Sequence, residues 1–234
     1  MAGFEYYVQK IDELSPVKDR FTLKGKVALV TGAGGGIGRS TANAFADLGA
    51  DVALMDIPQK KETLEHTAKV ISERHGVKCI CVYGDVSDPA SVDAFVNEVV
   101  EQLGTIHVVH SNAGIGGSPD GCEIGIDAWN RTLGIDLTGV LLVDAACAKV
   151  MKKHKHGGSI INTASMSGHI INKGPHGARY SPDYAACKAA VKHMTKAQAC
   201  DWVLDDIRVN SISPGIILSG LHDGWPEEPL REAA

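Results

Sequence analysis

Short apolar segments alternate with longer helical patterns along most of this chain, and that alternation limits the possible folds more than any other feature. Six segments have the length and the β-forming composition of strands: 26–31, 51–56, 77–83, 106–111, 159–165 and 207–213. Helical patterns lie between them, at 37–48, 60–75, 89–103, 127–153 and 183–204. Strands that alternate with helices pair in parallel through helical crossovers, so the sequence predicts an α/β protein with a doubly wound parallel sheet.

A chain of 234 residues is most simply one domain. Residues 1–22 are predicted to be an N-terminal extension, and 23–234 the domain itself. Two stretches that contain glycine and proline, 114–125 and 172–182, each follow a predicted strand. Ligands of a doubly wound sheet bind at the carboxyl ends of its strands, so these two loops are expected to border a binding site.

Charge and hydropathy argue against several classes of protein. A net charge of −5 argues against a nucleic-acid-binding protein, and the short basic cluster at 152–158 has the composition of a solvated helix end. No segment approaches the roughly 20 apolar residues that span a bilayer, and the N-terminus lacks the features of a signal peptide. The six cysteines are scattered without CxxC pairs, which predicts reduced thiols, no metal site and a cytoplasmic protein.

A glycine-rich loop, "TGAGGGIG", lies between the first predicted strand and the first predicted helix. Its spacing is GxxxGxG, formed by Gly32, Gly36 and Gly38, rather than the more common GxGxxG. The loop still offers a tight turn, bare backbone beside a pyrophosphate and free amides at a helix N-terminus. Glycine-rich loops are weak evidence alone, but the strand before this one and the helix after it predict a dinucleotide site of the Rossmann type.

The acid that ends the second strand bears on which dinucleotide binds. Asp56 lies 18 residues after Gly38, where a carboxylate would bind the ribose hydroxyls and repel a 2′-phosphate. No basic residue stands at Gly35 or Ile57 to bind that phosphate, although Arg39 is near enough to keep NADP open. The sequence therefore predicts NAD, with NADP as the less favoured cofactor and a solvated strand end as the alternative for Asp56.

The stretch "SPDYAACK" has the features of a helix start. Ser181 can accept hydrogen bonds from the first free amides, Pro182 suits the first helical position, and Asp183 suits the positive end of the dipole. Tyr184 and Lys188 then lie one turn apart on the same face. Such a pair also occurs by chance, so alone it leaves a purely structural role open.

Seven features resemble the short-chain dehydrogenase/reductase family, in the family's order and over residues 24–219. They are "TGAGGGIG", Asp56, "GDV" at 84–86, "SNAG" at 111–114, Ser165 in "SIINTASMSG", "YAACK" at 184–188 and "VNSISPG" at 209–215. The block "NTASMSGHI" further resembles the branch that acts on sugar alcohols and ketoses, such as mannitol and sorbose oxidoreductases. The resemblance implies an NAD(H)-dependent oxidoreductase that interconverts a secondary alcohol and a ketone, with a polyol/ketose pair as the first substrate.

The resemblance also assigns roles to residues. Tyr184 would be the general acid/base, Lys188 would favour its phenolate and bind the nicotinamide ribose, and Ser165 would hydrogen-bond the substrate oxygen. Other residues would bind the cofactor together with Asp56, Tyr184 and Lys188. They are Gly32, Gly36, Ile37, Gly38, Asp85, Val86, Asn112, Ala113, Gly114, Pro214, Gly215, Ile217 and Ser219.

Three features depart from the family's pattern. "GIDLTG" places Asp136 where most relatives have the asparagine of a proton-relay water site, so the relay is expected to be altered but not necessarily broken. Ser165 and Tyr184 are 19 residues apart, which is longer than usual. The loop between them carries four side chains that either contact substrate or are simply exposed: His169, His176, Arg179 and Tyr180. Because 14 residues follow "SPGIILSG", the relatives' last strand is expected to be absent.

Several functions remain open at this level. The rivals of a polyol are a hydroxysteroid, another bulky secondary alcohol and a 3-oxoacyl thioester. Asp136 and the short C-terminus also leave room for a non-catalytic nucleotide-binding protein, against which the presence of Ser165, Tyr184 and Lys188 counts. The expected partners are a small alcohol or ketone and, if the C-terminus is complete, further copies of the chain as a dimer or tetramer. Neither nucleic acid nor membrane is an expected partner.

Overall fold

The strands of the sheet lie where the sequence predicts them. The computed structural model describes residues 21–117, 123–171, 181–217 and 219. Its strands are β1 (Val27–Thr31), β2 (Asp51–Asp56), β3 (Cys79–Tyr83), β4 (Val108–Ser111), β5 (Gly158–Thr163) and β6 (Ile207–Ile212). They lie in the order β3-β2-β1-β4-β5-β6, and every neighbouring pair is parallel. The predicted doubly wound parallel sheet is confirmed.

Helices connect successive strands. They are α1 (Gly36–Asp47), α2 (Lys61–His75), α3 (Pro89–Leu103), α4 (Ile126–Leu133), α5 (Gly139–His154) and α6 (Pro182–Asp201). Local sequence explains several of their ends. Asp88 caps α3 by accepting a hydrogen bond of 3.0 Å from the amide of Ala90, and Pro89 occupies the first helical position. Gly76 ends α2 with a φ of 69°, the left-handed conformation that glycine adopts easily.

The helix predicted over 127–153 is interrupted. A π-helical turn, Gly134–Thr138, joins α4 to α5 and carries Asp136. A π-helical turn holds one more residue than an α-helical turn, so it changes which side chains point inward after it. Apolar periodicity continues across the region and does not reveal the extra residue, which is why the sequence predicts one uninterrupted helix.

Apolar side chains pack on both faces of the sheet. Leu29 of β1 clusters with residues of α3 and α5, including the fully buried Phe95. Its neighbours Ala28 and Val30 cluster with residues of α1 and α2, including Leu64. Burial of both faces is the usual environment of a parallel sheet. The carboxyl ends of β1, β4 and β5 therefore remain as the edge at which polar side chains can meet a ligand.

Some predictions concern parts of the chain outside the described residues. The N-terminal extension covers 1–22, of which only residues 21 and 22 are described, and the absence of a last strand falls on the residues after Ile217, of which only Ser219 is described. Within the described ranges, no helix combines the length and apolar character needed to cross a bilayer. The cytoplasmic location stays a prediction. The described cysteines are free thiols: Cys79, Cys81, Cys147, Cys187 and Cys200.

A buried polar cluster lies where β4 and β5 pack on α5 and α6. Asp144 of α5 is fully buried, and its Oδ1 accepts a hydrogen bond of 2.6 Å from the hydroxyl of Ser111. Beside it, Asn162 Nδ2 donates to Thr195 Oγ1 at 3.1 Å and to Gln198 Oε1 at 3.3 Å. Burial raises the pKa of Asp144 to about 6, and the hydrogen bond from Ser111 acts in the opposite direction.

We expect ionisation of Asp144 to lower the stability of the protein at neutral pH. Since its pKa rises on folding from 3.8 to about 6, its stabilising contribution is complete below pH 3.8 and is lost as the pH rises through 6. The loss amounts to about 3 kcal/mol. Asp144→Asn should therefore increase the free energy of unfolding relative to the wild type at pH 8 but not at pH 4, as measured by urea denaturation. A difference independent of pH would contradict this.

Candidate active site

The ends of β1 and β4 are joined by hydrogen bonds at the edge where the predicted site residues meet. The hydroxyl oxygen of Thr31 accepts from the amides of Asn112 and Ala113, both at 3.0 Å. Asn112 Nδ2 donates to the carbonyl of Thr31 at 3.2 Å. The "SNAG" turn is therefore fixed directly beside the glycine loop that follows β1.

The glycine loop needs its glycines for close approach. Gly32 has a φ of 65°, and a Cβ there would lie 2.8 Å from Ala113 Cα. At Gly36 a Cβ would lie 2.8 Å from Ser219 Cα, and the amide of Gly36 donates to the Ser219 carbonyl at 2.9 Å. Gly38 packs against the Gly32 carbonyl. The loop thus brings together predicted cofactor residues that are far apart in sequence.

The start of α1 suits an anion. Gly35 is the N-cap residue of α1, and Ser219 lies against the helix start, where its carbonyl accepts from the amide of Gly36 at 2.9 Å. Ile37 is half-buried in the first turn. The positive end of the helix dipole favours a negatively charged group at this place. The residues present therefore fit the pyrophosphate of a dinucleotide.

Asp56 is held at the end of β2, next to this loop. Its Oδ2 accepts from the amide of Gly34, and its Oδ1 accepts from the amide of Ile57, both at 2.8 Å. Arg39 is exposed on α1. The carboxylate is thus oriented by backbone amides, beside the loop where the sequence predicts the cofactor's ribose.

Two residues predicted to contact the cofactor, Asp85 and Val86, follow β3, and their side chains have different surroundings. Asp85 Oδ1 accepts from the amide of Ser87 at 2.8 Å and from its hydroxyl at 2.7 Å. Val86 is buried in the core, where a Cβ added at Gly139 of α5 would meet it. Both residues lie in the turn before α3, and their contact with an adenine stays a prediction.

Ser165 lies two residues after the end of β5, at the start of a 3₁₀ turn, Met166–Gly168. Its side chain is buried, and its oxygen accepts from the amide of Ser167 at 3.1 Å. The amide of Met166 donates to the carbonyl of Pro214 at 3.0 Å. The turn therefore lies against the segment after β6 that carries Pro214, Gly215 and Ile217.

The start of α6 differs from the predicted cap. Ser181 is the N-cap residue, but its side chain makes no capping hydrogen bond. Asp183 lies in the first turn as predicted, but it is fully buried, and its Oδ2 accepts from Thr132 Oγ1 at 2.8 Å. This bond ties α6 to α4.

Lys188 is buried and held from two sides. Its Nζ donates to the Thr163 carbonyl at 3.1 Å and lies 3.1 Å from Asp136 Oδ2. The same Nζ lies 5.3 Å from the centroid of the Tyr184 ring. A buried ammonium is costly unless paired and hydrogen-bonded, and both conditions are met here. The predicted Tyr184–Lys188 relation on one helix face is present.

Asp136 is the partner that sequence reasoning did not foresee for Lys188. It is fully buried, and its Oδ1 accepts from the amide of Ile115 at 2.8 Å. A Cβ added at Gly114 would lie 3.0 Å from its Oδ2, so the "SNAG" turn passes directly over it. Burial raises the pKa of Asp136 above its ordinary value, and the Lys188 charge acts against that rise.

Other predicted or missed residues complete the site. His169 is exposed and contacts Ser213 Oγ at 3.0 Å and Lys192 Nζ at 3.1 Å. His176, Arg179 and Tyr180 lie outside the described residues. Sequence reasoning missed Thr163, which holds Lys188 through its backbone carbonyl. Since every residue has a carbonyl, no side-chain pattern could have identified it.

Comparisons with known proteins show which family the chain belongs to. The sequence profile of the family described as "short chain dehydrogenase" matches residues 26–229. A sorbose reductase of Candida albicans is 41% identical over 212 residues, which cover 89% of this chain and 72% of that protein. An NADP-dependent mannitol dehydrogenase of Alternaria alternata is 36% identical over 223 residues, 93% of this chain and 80% of that protein.

A solved structure extends the comparison to three dimensions. An NAD⁺-bound xylitol dehydrogenase superposes with a TM-score of 0.75 and 35% sequence identity, covering 83% of this chain and 71% of that one. The family profile spans most of the chain, and the relatives are covered over more than two thirds of their length. The chain therefore belongs to the short-chain dehydrogenase family.

Proposed function

We propose that this oxidoreductase is NAD(H)-dependent and interconverts a secondary alcohol and a ketone, with a polyol/ketose pair as substrate. The observation that carries the proposal is the buried Lys188 ammonium, which lies 5.3 Å from the Tyr184 ring centroid and is held by Thr163 and Asp136. In a family of dehydrogenases, a cation fixed beside a phenol is what a general base needs at neutral pH.

In the proposed mechanism, the chain supplies position, charge and a route for one proton. Tyr184 as phenolate takes the hydroxyl proton of the alcohol, and the Lys188 charge stabilises that phenolate. The oxygen of Ser165 accepts a backbone hydrogen bond from Ser167, so its O–H is left to donate to the substrate oxygen. The bound nicotinamide supplies the hydride chemistry. In the reverse direction, Tyr184 returns the proton to the ketone oxygen.

The proposed cofactor site uses the surfaces described above. The start of α1, with Gly32, Gly36, Ile37 and Gly38, would bind the pyrophosphate. The "SNAG" turn and Lys188 would line the nicotinamide ribose. The carboxamide end would lie against Pro214, Gly215, Ile217 and Ser219, and the adenine against Asp85 and Val86. We further propose that 23–234 form one catalytic domain, preceded by the extension 1–22.

The preference for NAD rests on Asp56. Its carboxylate is oriented by the amides of Gly34 and Ile57, so it cannot easily turn away from a 2′-phosphate. Relatives differ in this respect: the mannitol dehydrogenase is NADP-dependent, whereas the xylitol dehydrogenase structure holds NAD⁺. The like-charge contact that Asp56 would make with the extra phosphate favours NAD.

Asp56→Asn should relax this preference. The amide keeps the shape of the side chain and an oxygen acceptor, but it removes the charge that opposes the 2′-phosphate. We expect the ratio of the Kd for NADPH to the Kd for NADH to fall by about tenfold, as measured by fluorescence titration of both proteins. Asp51→Asn, on the opposite end of the same strand, is the control and should leave the ratio unchanged. An unchanged ratio in Asp56→Asn would show that another residue selects the cofactor.

The substrate proposal is tested by a panel of alcohols with NAD⁺. Mannitol, sorbitol and xylitol should be oxidised, and sorbose and fructose should be reduced with NADH. The similarity to a sorbose reductase and to a mannitol dehydrogenase supports this class. Turnover of hydroxysteroids or 3-oxoacyl thioesters alone would overturn the polyol proposal. Tight binding of NADH without turnover of any panel member would instead favour a non-catalytic protein.

A further inference from the structure

His110 is a titratable side chain inside the sheet that the proposed mechanism does not use. It lies on β4, is only 1% exposed, and is in register with Val30 of β1 and Ile161 of β5. Its apolar neighbours make an imidazole an unusual choice, since a buried polar ring is costly unless it is hydrogen-bonded.

The contacts of His110 lead directly to the candidate active site. Its Nε2 lies 2.8 Å from the hydroxyl oxygen of Thr163, which in turn lies 3.3 Å from Asn112 Oδ1. Thr163 is also the residue whose carbonyl holds Lys188. Asn112 Nδ2 donates to the carbonyls of Thr31 and Gly32, at 3.2 and 3.4 Å.

The number of hydrogen bonds that His110, Thr163 and Asn112 can form together favours one tautomer of the His110 ring. The Thr163 hydroxyl has one proton, so it donates either to Asn112 Oδ1 or to His110 Nε2. In the first case His110 donates through Nε2–H, and only its Nδ1 lone pair lacks a partner among the described residues. In the second case both a buried Nδ1–H and the Asn112 oxygen lose a partner. The first arrangement leaves fewer unsatisfied groups and is therefore the more stable.

Burial supports a neutral ring. It lowers the pKa of His110 to about 4, so the side chain carries no charge at neutral pH. A neutral donor at this position orients the Thr163 hydroxyl without placing a second cation near Lys188.

We propose that His110 is a positioning residue, whose Nε2–H fixes the Thr163 hydroxyl toward Asn112 and so orients the "SNAG" turn beside the glycine loop. The ring would act through Thr163 and Asn112 and would touch neither substrate nor cofactor. The consequence for NADH binding rests on the proposed function, whereas the tautomer does not.

The tautomer is tested first, on the wild-type protein without cofactor. Nitrogen-15 chemical shifts of the histidine side chains, assigned with His110→Gln, should show His110 as the Nε2–H form from pH 5.5 to 8. A predominant Nδ1–H tautomer, or a charged ring at pH 6, would overturn the proposal. This result does not depend on whether the protein binds NADH.

The effect on the site is tested by NADH titration of matched variants. Glutamine places its amide nitrogen near the position of Nε2, so His110→Gln should bind NADH within about threefold of the wild type. His110→Met and Thr163→Val each remove one partner and should weaken binding by about tenfold, with no further loss in the double variant. Additive losses, or an equal loss in His110→Gln, would overturn the positioning role. Failure of the wild type to bind NADH would overturn the proposed function instead.

Discussion

Tyr184→Phe should lower the rate of polyol oxidation by about 10³-fold while leaving the Kd for NADH within about twofold of the wild type. Phenylalanine keeps the ring beside the Lys188 ammonium but removes the hydroxyl that exchanges the substrate proton. Proton transfer occurs in the transition state and not in cofactor binding. The rate should therefore fall while the Kd for NADH stays nearly constant. Steady-state kinetics with NAD⁺ and fluorescence titration with NADH measure them.

Tyr83→Phe is the matched control for that experiment. Tyr83 lies at the end of β3, and its side chain interacts with the side chains of Cys81 and Glu65. Tyr83→Phe removes the same hydroxyl group from a tyrosine outside the proposed mechanism. It should leave both the rate of polyol oxidation and the Kd for NADH unchanged. Wild-type rates in Tyr184→Phe would show that another group exchanges the proton, and the proposed mechanism would then be wrong.

The order of elements could be predicted because strand and helix periodicity is a local property of the sequence. The six strand segments match the strands of the sheet to within two residues, and the acid at the end of β2 lies beside the glycine loop as expected. The family's motifs also predicted which strand ends would meet. Parallel strands bring their carboxyl ends to one edge, so the predicted parallel sheet was enough to place Gly32, Ala113 and Ser165 at that edge.

Contacts between elements were harder to predict. The π-helical turn that turns Asp136 inward adds one residue that apolar spacing does not reveal. Thr163 holds Lys188 through a backbone carbonyl, which every residue possesses. In both cases the decisive quantity is a backbone geometry set by packing, and a sequence pattern carries little information about it. Ser181 also lacks the capping hydrogen bond that its residue type predicts.

The ion pair between Lys188 and Asp136 has a consequence for the pH dependence of the reaction. A carboxylate 3.1 Å from the ammonium cancels part of the positive field that favours the Tyr184 phenolate. An asparagine at this position would leave the lysine charge unopposed. We therefore expect the Asp136 charge to affect the pH dependence of the reaction.

Asp136→Asn should lower the pH at which polyol oxidation reaches half its maximal rate by about one unit. The amide oxygen can still accept from the Ile115 amide, so the turn keeps its hydrogen bond while the negative charge disappears. The unfolding temperature should fall as well, because the buried Lys188 loses its counter-ion. The pH profile of the rate at saturating NAD⁺ and alcohol, together with a thermal unfolding scan, measures both effects.

Asp144→Asn separates charge at the site from the general effect of removing a buried carboxylate. Asp144 is also fully buried, but its Oδ1 accepts a hydrogen bond from Ser111, and the residue lies in the polar cluster between β4, β5, α5 and α6. Its replacement should change stability with pH and leave the midpoint of the rate profile in place. A shift of the profile in both variants would mean that global stability sets it. No shift in Asp136→Asn would mean that the reacting hydroxyl does not sense the Asp136 charge.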